Sequence, residues 1–420
     1  MRIPLTITLY KLFTRVLEFF SLPIFILRAF KKKEEWSRKK ERFGFINFEN
    51  KKKKYIWFHA VSVGELLSIL PLTKKLSEND FDILITTSTI SSAKLFKKIF
   101  PKNIKHQYIP YDFPKCTKRF FESFKIEIAI FVESEIWPNF ILSCKKLNIP
   151  IMLINARISD KSLNNWKYAK SSLLYLLESF RLIFPQNEKA YNRIKSLGIK
   201  NTGLIGNIKH DAEILSVNQN KIKHLREITM NKELIVAAST HEGEEEIIFS
   251  LFNKLKSDFS NLLLVLAPRH PERALSISKL ASKSNIKKIK FLSKNESCSE
   301  NIELLIYDKI GELGEIYSLA DLVILGGAFK EYGGHNPIEP AKFSIPIFTG
   351  PNFFNFEDDF NKLLLARGAN IFNEDEFIKL FKDKDNLIEM GKNARKCVSK
   401  LEGASDKIYK FIEGIKVNEI

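Results

Sequence analysis

The stretch 55–76, YIWFHAVSVGELLSILPLTKKL, is the most informative about how the chain folds. Residues 55–60 form an apolar run of the length of a buried strand, and a turn containing Gly64 follows at once. From Glu65 to residue 76 the pattern is typical of a helix. A strand that leads through a glycine turn into a helix is the first half of a βαβ unit, so the stretch predicts an α/β fold with parallel strands.

Outward from this stretch, strands and helical stretches alternate in two series of nearly equal length. The candidate strands are 55–60, 82–86, 127–132, 150–155 and 182–184 in the first series, and 234–238, 262–267, 303–306, 322–325 and 345–348 in the second. Two such series predict two doubly wound Rossmann-like domains facing a cleft, joined by the polar segment 217–231. We therefore expect an anchor over 1–30, a first domain over 31–216 and a second over 217–420, whose last helix either stays there or packs back on the first domain.

Composition excludes several classes of protein. The chain has 420 residues, 45% of them hydrophobic, which excludes collagen-like and wholly disordered chains. Four cysteines lie far apart without a CxxC pair, so neither a disulfide scaffold nor a zinc ribbon is expected. The net charge of +18 leaves two readings open: a solvated lysine-rich surface, or a surface that meets an anionic partner.

The N-terminal segment predicts contact with a membrane. Residues 5–30 are apolar but are interrupted by Lys11, Arg15 and Glu18. The uninterrupted part, 19–27, is shorter than the ~20 residues that a spanning helix needs, and a basic run follows up to residue 54. We expect a helix in the bilayer interface with the basic run against anionic headgroups. The alternative is a buried first helix of the domain.

Polar residues follow the strands of the first series, where α/β proteins place their ligands. Glu65 is either a general base or a favourable charge at a helix N-terminus. Glu133 and Glu135 flank a serine after the next candidate strand, and at most one of them is expected to carry function. Arg157 is a candidate for a phosphate or for one of these glutamates, and Lys209 is expected to face the cleft from the join.

The second series carries an anion-binding pattern. Arg269, preceded by Pro268, follows a strand, and its guanidinium matches phosphate oxygens in a bidentate fork. The segment 326–340, GGAFKEYGGHNPIEP, has four glycines directly after a strand, which predicts backbone approach to a ligand. A helix opening at Asn336 would offer N–H groups to phosphate, and Glu339 would accept hydrogen bonds from ribose. The segment is neither GxGxxG nor a Walker loop, which disfavours dinucleotide oxidoreductases and P-loop ATPases.

Seven stretches resemble one known family in order and spacing. They are HAVSVGE (59–65), ESEIWPN (133–139), NARISDKS (155–162), GNIKHD (206–211), AASTHEGEEE (237–246), APRHPER (267–273) and GGHNPIEPA (333–341). The chain is similar over nearly its whole length to the Kdo transferases of lipopolysaccharide assembly, glycosyltransferase family 30. The resemblance implies a GT-B fold and inverting transfer of 3-deoxy-D-manno-octulosonic acid (Kdo) from CMP-Kdo to the lipid A precursor lipid IVA. It also implies a location on the cytoplasmic face of the inner membrane.

The resemblance assigns roles residue by residue. Glu65 matches the catalytic base, and Glu133 and Lys209 match positions that stabilise the transition state. The matching CMP-binding residues are Pro268, Arg269, Ile310, Gly311, Glu312, Asn336, Pro337, Ile338 and Glu339. No metal or other cofactor is expected, since the histidines are scattered without metal-ligand spacing. Two positions depart from the usual family residues, His210 and Ile310; a backbone contact from Ile310 to cytosine would survive the change.

Two other functions are distinguishable from this one. A GT-B enzyme that uses another nucleotide-sugar, such as a UDP-sugar, on a membrane lipid would share the fold but prefer UDP to CMP. A basic module that binds nucleic acid predicts a continuous positive stripe with interleaved aromatic residues. The basic residues instead cluster beside the hydrophobic N-terminus, so no nucleic-acid partner is expected.

Overall fold

The computed structural model describes residues 3–46, 48, 53–158, 160–293, 302–309, 311 and 313–417. The chain divides into two compact units. The first comprises Met1–Ala212 together with Leu401–Ile420, and the second comprises Glu213–Lys400. The sequence placed the boundary four residues later, and the last 20 residues belong to the first unit.

The first unit is built on a parallel sheet of six strands in the order β3-β2-β1-β4-β5-β6. The strands are β1 Lys54–His59, β2 Asp82–Thr87, β3 Lys105–Tyr108, β4 Lys125–Val132, β5 Ile151–Ala156 and β6 Leu182–Pro185. Alternate side chains enter different cores, with Trp57 on one face of the sheet and Phe58 on the other. Helices cover both faces, as a parallel sheet requires. The sequence missed β3, whose residues KHQY carry no apolar run.

The helices of the first unit follow the strands and the two chain ends. They are Leu5–Leu17, Ser21–Phe30, Lys39–Arg42, Val63–Glu78, Ile90–Ile99, Pro114–Ser123, Pro138–Lys146, Asp160–Asn165, Lys170–Leu177, Glu188–Ser196 and Ala404–Val417, with 3₁₀ turns at Glu18–Phe20, Trp36–Arg38, Lys167–Ala169 and Ile208–Asp211. The last helix and the turn Ile208–Asp211 both pack on Val63–Glu78.

The second unit has a parallel sheet of seven strands in the order β13-β12-β11-β7-β8-β10-β9. The strands are β7 Glu233–Thr240, β8 Leu262–Pro268, β9 Ile289–Phe291, β10 Leu304–Ile306, β11 Leu322–Leu325, β12 Ile347–Thr349 and β13 Ala369–Ile371. Val236 and Ala237, neighbours in β7, again enter opposite cores. The three-residue edge strands β9 and β13 are too short to leave a pattern in the sequence and were not predicted.

Helices also cover both faces of the second sheet. They are Gln219–Thr229, Glu245–Lys256, Ala274–Lys283, Leu313–Tyr317, Ile338–Lys342, Glu357–Leu365, Glu374–Lys382 and Lys384–Ser399, with 3₁₀ turns at Pro271–Arg273 and Phe354–Phe356. The predicted join 217–231 is mostly the helix Gln219–Thr229. That prediction was wrong because Ile222, Leu225 and Ile228, spaced three apart in an otherwise polar segment, form a buried stripe.

The N-terminal segment consists of two helices rather than one, and only one side of it is packed. Tyr10 donates a hydrogen bond to Asp112 Oδ2 at 3.0 Å, and Asn139 Nδ2 donates to Thr14 Oγ1 at 3.1 Å. Phe25 is fully buried. The other side leaves a row of large apolar side chains at least half exposed: Leu5, Leu9, Leu12, Phe13, Val16, Phe19, Phe20, Leu22, Leu27 and Phe30. Among the described residues, no helix is long and apolar enough to cross a membrane.

Part of the basic run after these helices is neutralised inside the first unit. Glu34 accepts from Arg28 Nε at 2.6 Å and from Arg42 Nε at 2.7 Å, and Arg38 binds Glu41 with two hydrogen bonds of 2.6 and 2.7 Å. These arginines fasten the segment to the edge of the sheet. Lys31, Lys32, Lys33, Lys39 and Lys40 remain exposed.

Candidate active site

Each sheet has a switch point, where connections leave in opposite directions and the carboxyl ends of neighbouring strands open a crevice. In the first sheet this point lies between β1 and β4, and in the second between β7 and β11. Glu65 and Glu133 follow the first pair of strands, while 241–245 and 326–340 follow the second pair. The stretches singled out from the sequence therefore lie at the two switch points.

Glu65 lies in the first turn of the helix Val63–Glu78 and is 8% exposed. Ser62 caps this helix: its Oγ accepts from Glu65 N at 3.2 Å and donates to Glu65 Oε1 at 2.7 Å. Val61 N donates to Oε2 at 2.8 Å. Burial raises the pKa of Glu65, the two hydrogen bonds lower it, and the charges of Glu133 and Glu135 raise it further. The result is an oriented carboxylate with a raised pKa.

Glu133 and Lys209 form an ion pair next to Glu65. Lys209 Nζ lies 2.6 Å from Glu133 Oε1, with the lysine side chain 39% exposed and the glutamate 13% exposed. Glu133 follows Val132, the last residue of β4, in the left-handed region at φ 58°, where the extended course of the strand stops. Lys209 lies in the turn Ile208–Asp211, which packs on the helix that carries Glu65. The backbone N of Lys209 donates to Asn207 Oδ1 at 3.0 Å. The structure thus brings together the three residues that the sequence assigned to catalysis.

Glu135, the second glutamate after β4, faces protein. Its Oε2 accepts from Trp137 Nε1 at 2.5 Å and lies 3.7 Å from Nε2 of the fully buried His59. His59 Nδ1 in turn lies 3.0 Å from Thr86 Oγ1. Glu135 therefore supports the loop, and the expectation that at most one of the two glutamates carries function stays a prediction.

Arg269 is an exposed cation of the second unit's site. It follows Pro268, the last residue of β8, and its N donates to Thr240 O at 3.0 Å, which joins the start of the loop after β8 to the end of β7. The guanidinium is exposed. Burial lowers the pKa of His241 and His335 and the charge of Arg269 lowers it further, while the same charge opposes the rise that burial causes in the pKa of Glu339. These three side chains therefore lie around Arg269.

The glycine-rich loop is held by a residue that the sequence analysis did not single out. Glu244, fully buried, accepts from His241 N and Gly327 N, both at 2.8 Å, and from Phe329 N at 3.0 Å. The signal that the sequence offers for it is the acidic run 244–246, four residues after the end of a strand. Glu245, also buried, binds Arg273 through two hydrogen bonds of 2.8 and 3.2 Å.

The glycines of 326–340 make room for neighbouring protein atoms. A Cβ on Gly327 would lie 2.7 Å from the ring of His335, and one on Gly333 would lie 2.1 Å from Asn355. A Cβ on Gly334 would lie 3.0 Å from Phe353. Packing against protein therefore accounts for the missing side chains at these glycines, and the approach of a ligand to their backbone stays a prediction. The loop itself lies at the switch point.

The remaining predicted nucleotide residues lie beside this loop or outside the described residues. Asn336 Oδ1 accepts from Ile338 N at 3.0 Å and its Nδ2 donates to Glu339 Oε1 at 3.2 Å, with Pro337 buried between them. Burial raises the pKa of Glu339. The helix that follows, Ile338–Lys342, is a single turn. Gly311 is exposed with φ 79°, whereas Ile310 and Glu312 lie outside the described residues.

Two further residues near the first site were not predicted. Asn155 has φ 53°, and its buried side-chain amide makes no hydrogen bond within the described residues. Asp211 holds the start of the last helix, since its carboxylate accepts from Gly403 N and Ser405 N.

No group of three or more His, Cys, Asp or Glu side chains in the described part of the chain is arranged to hold a metal ion. Arg157 has an exposed side chain, and only its backbone N–H contacts Glu133, at 3.3 Å from the carbonyl oxygen.

Comparison with known proteins identifies relatives over most of the chain. Residues 37–212 match the family model described as 3-deoxy-D-manno-octulosonic-acid transferase (kdotransferase). The 3-deoxy-D-manno-octulosonic acid transferase of Rickettsia bellii is 36% identical over 359 residues, 84% of this chain and 85% of that protein. The enzyme of the same name from Haemophilus influenzae is 34% identical over 335 residues, 78% of each chain. A glycosyltransferase structure from Rickettsia africae aligns with a TM-score of 0.60 at 12% identity, covering 87% of this chain and 99% of that one, and shows the fold alone.

Two parallel α/β units with residues for chemistry at both switch points, together with these relatives, define a glycosyltransferase of the GT-B fold. The predicted fold class is thereby confirmed. More particularly, the chain belongs to the 3-deoxy-D-manno-octulosonic acid transferase family, as the resemblance of its motifs indicated.

Proposed function

We propose that this enzyme transfers Kdo, with inversion, from CMP-Kdo to a hydroxyl of the lipid A precursor lipid IVA in lipopolysaccharide core synthesis, with Glu65 as general base. The observation that carries the proposal is the buried, doubly hydrogen-bonded Glu65 carboxylate beside the Glu133–Lys209 ion pair. Family membership supports the sugar and its CMP carrier.

The first unit supplies the chemistry at the acceptor. Glu65 takes the proton of the attacking hydroxyl, for which its raised pKa makes it a stronger base than an exposed glutamate. Positive charge develops on the sugar as the bond to phosphate breaks, and Glu133 is the carboxylate placed to stabilise it. The ammonium of Lys209, 2.6 Å away, holds the Glu133 side chain in position.

The second unit supplies the residues that bind CMP. Arg269 binds the phosphate through its exposed guanidinium, and its charge offsets that of the departing CMP. Glu339, held by Asn336, accepts from ribose hydroxyls. We propose a metal-independent reaction, since CMP carries a single phosphate that these groups can neutralise.

Replacement of Glu65 tests the base. Glu65→Gln keeps the size of the side chain and removes the basic oxygen, so transfer from CMP-Kdo to lipid IVA should fall by about 10²–10⁴-fold while CMP affinity is unchanged. Product formation is followed by mass spectrometry and CMP binding by calorimetry. Glu389→Gln, an exposed glutamate of the helix Lys384–Ser399 in the second unit, is the matched control. Near-normal turnover of Glu65→Gln, or a preference of the wild type for UDP over CMP, would overturn the proposal.

We also propose that the N-terminal helices dock on the cytoplasmic face of the inner membrane. Their exposed apolar row, Leu5 to Phe30, and the neighbouring exposed lysines 31–33 are what an interfacial segment needs. A bilayer-embedded acceptor makes such docking useful, because it brings the enzyme to the plane in which lipid IVA lies.

Sedimentation with vesicles tests this docking. Phe19→Ser with Phe20→Ser removes two side chains that are 77% and 56% exposed, and should weaken binding to anionic vesicles by roughly tenfold or more. Leu275→Ser with Leu365→Ser, at positions 65% and 87% exposed in the second unit, is the control and should bind as wild type does. Equal losses in the two double variants would refute a dedicated docking face.

A further inference from the structure

Two histidines of the second unit, His241 after β7 and His335 in the glycine-rich loop, form a dyad. Their Nε2 atoms lie 2.9 Å apart, and their rings lie within 7° of parallel with centroids 5.1 Å apart. An imidazole N–H lies in the plane of its ring, so this geometry is that of an in-plane N–H···N hydrogen bond. One Nε2 must therefore carry a hydrogen and the other must accept it.

Such a dyad can take up one proton without rearrangement. The donor ring is protonated at Nε2 and, while neutral, bare at Nδ1. A proton added at Nδ1 leaves the N–H···N bond in place and gives the dyad a single positive charge. A second proton would fall on the accepting Nε2 and break the bond. The dyad is therefore a site for one proton.

The surroundings hold the dyad rigidly. Tyr332 stacks on His241 with centroids 4.2 Å apart, and His270 meets the same ring edge-on. Gly327 lies under His335, since a Cβ there would be 2.9 Å from its Nε2. The Glu244 carboxylate binds N–H groups of both loops that carry the dyad.

The charges around the dyad favour an anion. Facing it are Arg269 and His270 from the loop after β8, Arg273 paired with Glu245, Glu244 with its three backbone N–H donors, and Glu339 paired with Asn336. Lys330 lies over Gly243, with its Nζ 1.9 Å from where a Cβ would be. With Glu244, Glu245 and Glu339 so occupied, the exposed Arg269 is the cation best placed for a ligand.

We propose that the His241–His335 dyad takes up one proton when a phosphate-bearing nucleotide binds beside Arg269, so that an imidazolium and a guanidinium hold the ligand together. This rests on the proposed function, which places CMP at Arg269. In the free protein, burial and then the charges of His241, Arg269 and His270 hold the pKa of His335 at about 4. Burial, with the charges of His270, Arg269 and Arg273, lowers the pKa of His241. An anion at Arg269 offsets the charge of the guanidinium and raises the pKa of both histidines. Ligand binding therefore takes up a proton at pH values between the pKa of the free dyad and the higher pKa of the bound dyad.

Calorimetry in buffers of different ionisation enthalpy measures this uptake directly. The probe is the methyl ester of cytidine 5′-monophosphate, because a phosphodiester lacks the second phosphate pKa near ~6. At pH values between the free and the bound pKa of the dyad, the full-length protein should take up protons on binding, at most one per ligand. Its affinity should fall as pH rises, by up to about tenfold per pH unit.

Variants assign the proton to the dyad. His335→Asn and His241→Asn should each abolish uptake, and the double variant should lose no more, because the proton is shared. His224→Asn, an exposed histidine of the helix Gln219–Thr229, should keep it. Thermal unfolding checks that each variant is folded, and Gly327→Ala, which displaces the ring of His335 without removing it, should also reduce uptake.

The outcomes separate this inference from the proposed function. A wild type that binds the probe through Arg269, as shown by weaker binding of Arg269→Ala, but with enthalpies independent of buffer, overturns the dyad and leaves the function standing. Uptake that persists in His335→Asn overturns it as well. Absence of any nucleotide binding would refute both.

Discussion

At the scale of single residues, Ser62 contributes both to the stability of a helix and to the pKa of Glu65. Its Oγ caps the helix Val63–Glu78 and donates to the carboxylate of Glu65. Ser62→Ala removes a hydrogen bond that favours the ionised form, so the pKa of Glu65 rises further. A general base works when ionised, and transfer is lost as pH falls through its pKa. The acid limb of the pH–kcat profile should therefore move to higher pH, with a loss of about 1 kcal/mol in stability.

Thr89→Ala separates the two effects. Thr89 caps the helix Ile90–Ile99 of the same unit, where it accepts from Ser92 N at 3.1 Å. This variant should lose similar stability, measured by urea unfolding, but keep the wild-type pH profile. If both variants moved the acid limb equally, the shift would reflect general destabilisation, and Ser62 would have no part in tuning Glu65.

Single residues also show which parts of the candidate site could be predicted from the sequence. Glu65, Glu133 and Lys209 were found because each follows a strand or closes a domain, and because their motifs match a family. Glu244 and the dyad were not found, since their partners are backbone N–H groups and a ring 94 positions away, which no local pattern records.

At the scale of elements, the glycine-rich loop depends on close packing. Gly327 has φ 77°, and a Cβ there would lie 2.7 Å from the ring of His335. Gly327→Ala should cost about 1–2 kcal/mol for the left-handed conformation and a further ~1–3 kcal/mol for the displaced ring. Unfolding of the variant by urea measures the sum, and CMP affinity should fall with it.

Gly198→Ala is the control for backbone strain alone. Gly198 has φ 85°, but no atom lies within 4 Å of where its Cβ would be. Gly198→Ala should be destabilised only by the strain of the left-handed conformation, about 1–2 kcal/mol. A loss for Gly327→Ala no larger than that for Gly198→Ala would mean that the loop yields, and that the position of His335 is not fixed by the glycine. The sequence located this loop by its glycines but could not say what fills the space beside them.

At the scale of the whole molecule, two sheets followed from two series of apolar runs, because a buried parallel strand is apolar on both faces. The sequence did not predict β3, β9 and β13, because these strands have no such apolar run. The membership of the last helix was left open, since its apolar stripe fits either unit. In the structure its Ile408 and Ile412 share a core with Leu66 and Ile69 of the Glu65 helix.

Asp211 fastens this returning helix two residues after Lys209. Its carboxylate accepts from Gly403 N at 2.6 Å and Ser405 N at 2.5 Å, at the start of Ala404–Val417. Asp211→Ala should cost about 1–3 kcal/mol in stability and lower kcat, since the turn that carries Lys209 loses its attachment. Asp406→Ala, which removes a side chain 63% exposed and paired with Lys75, should cost little. Loss of stability in Asp211→Ala with an unchanged kcat would show that Lys209 is positioned by Glu133 and Asn207 alone.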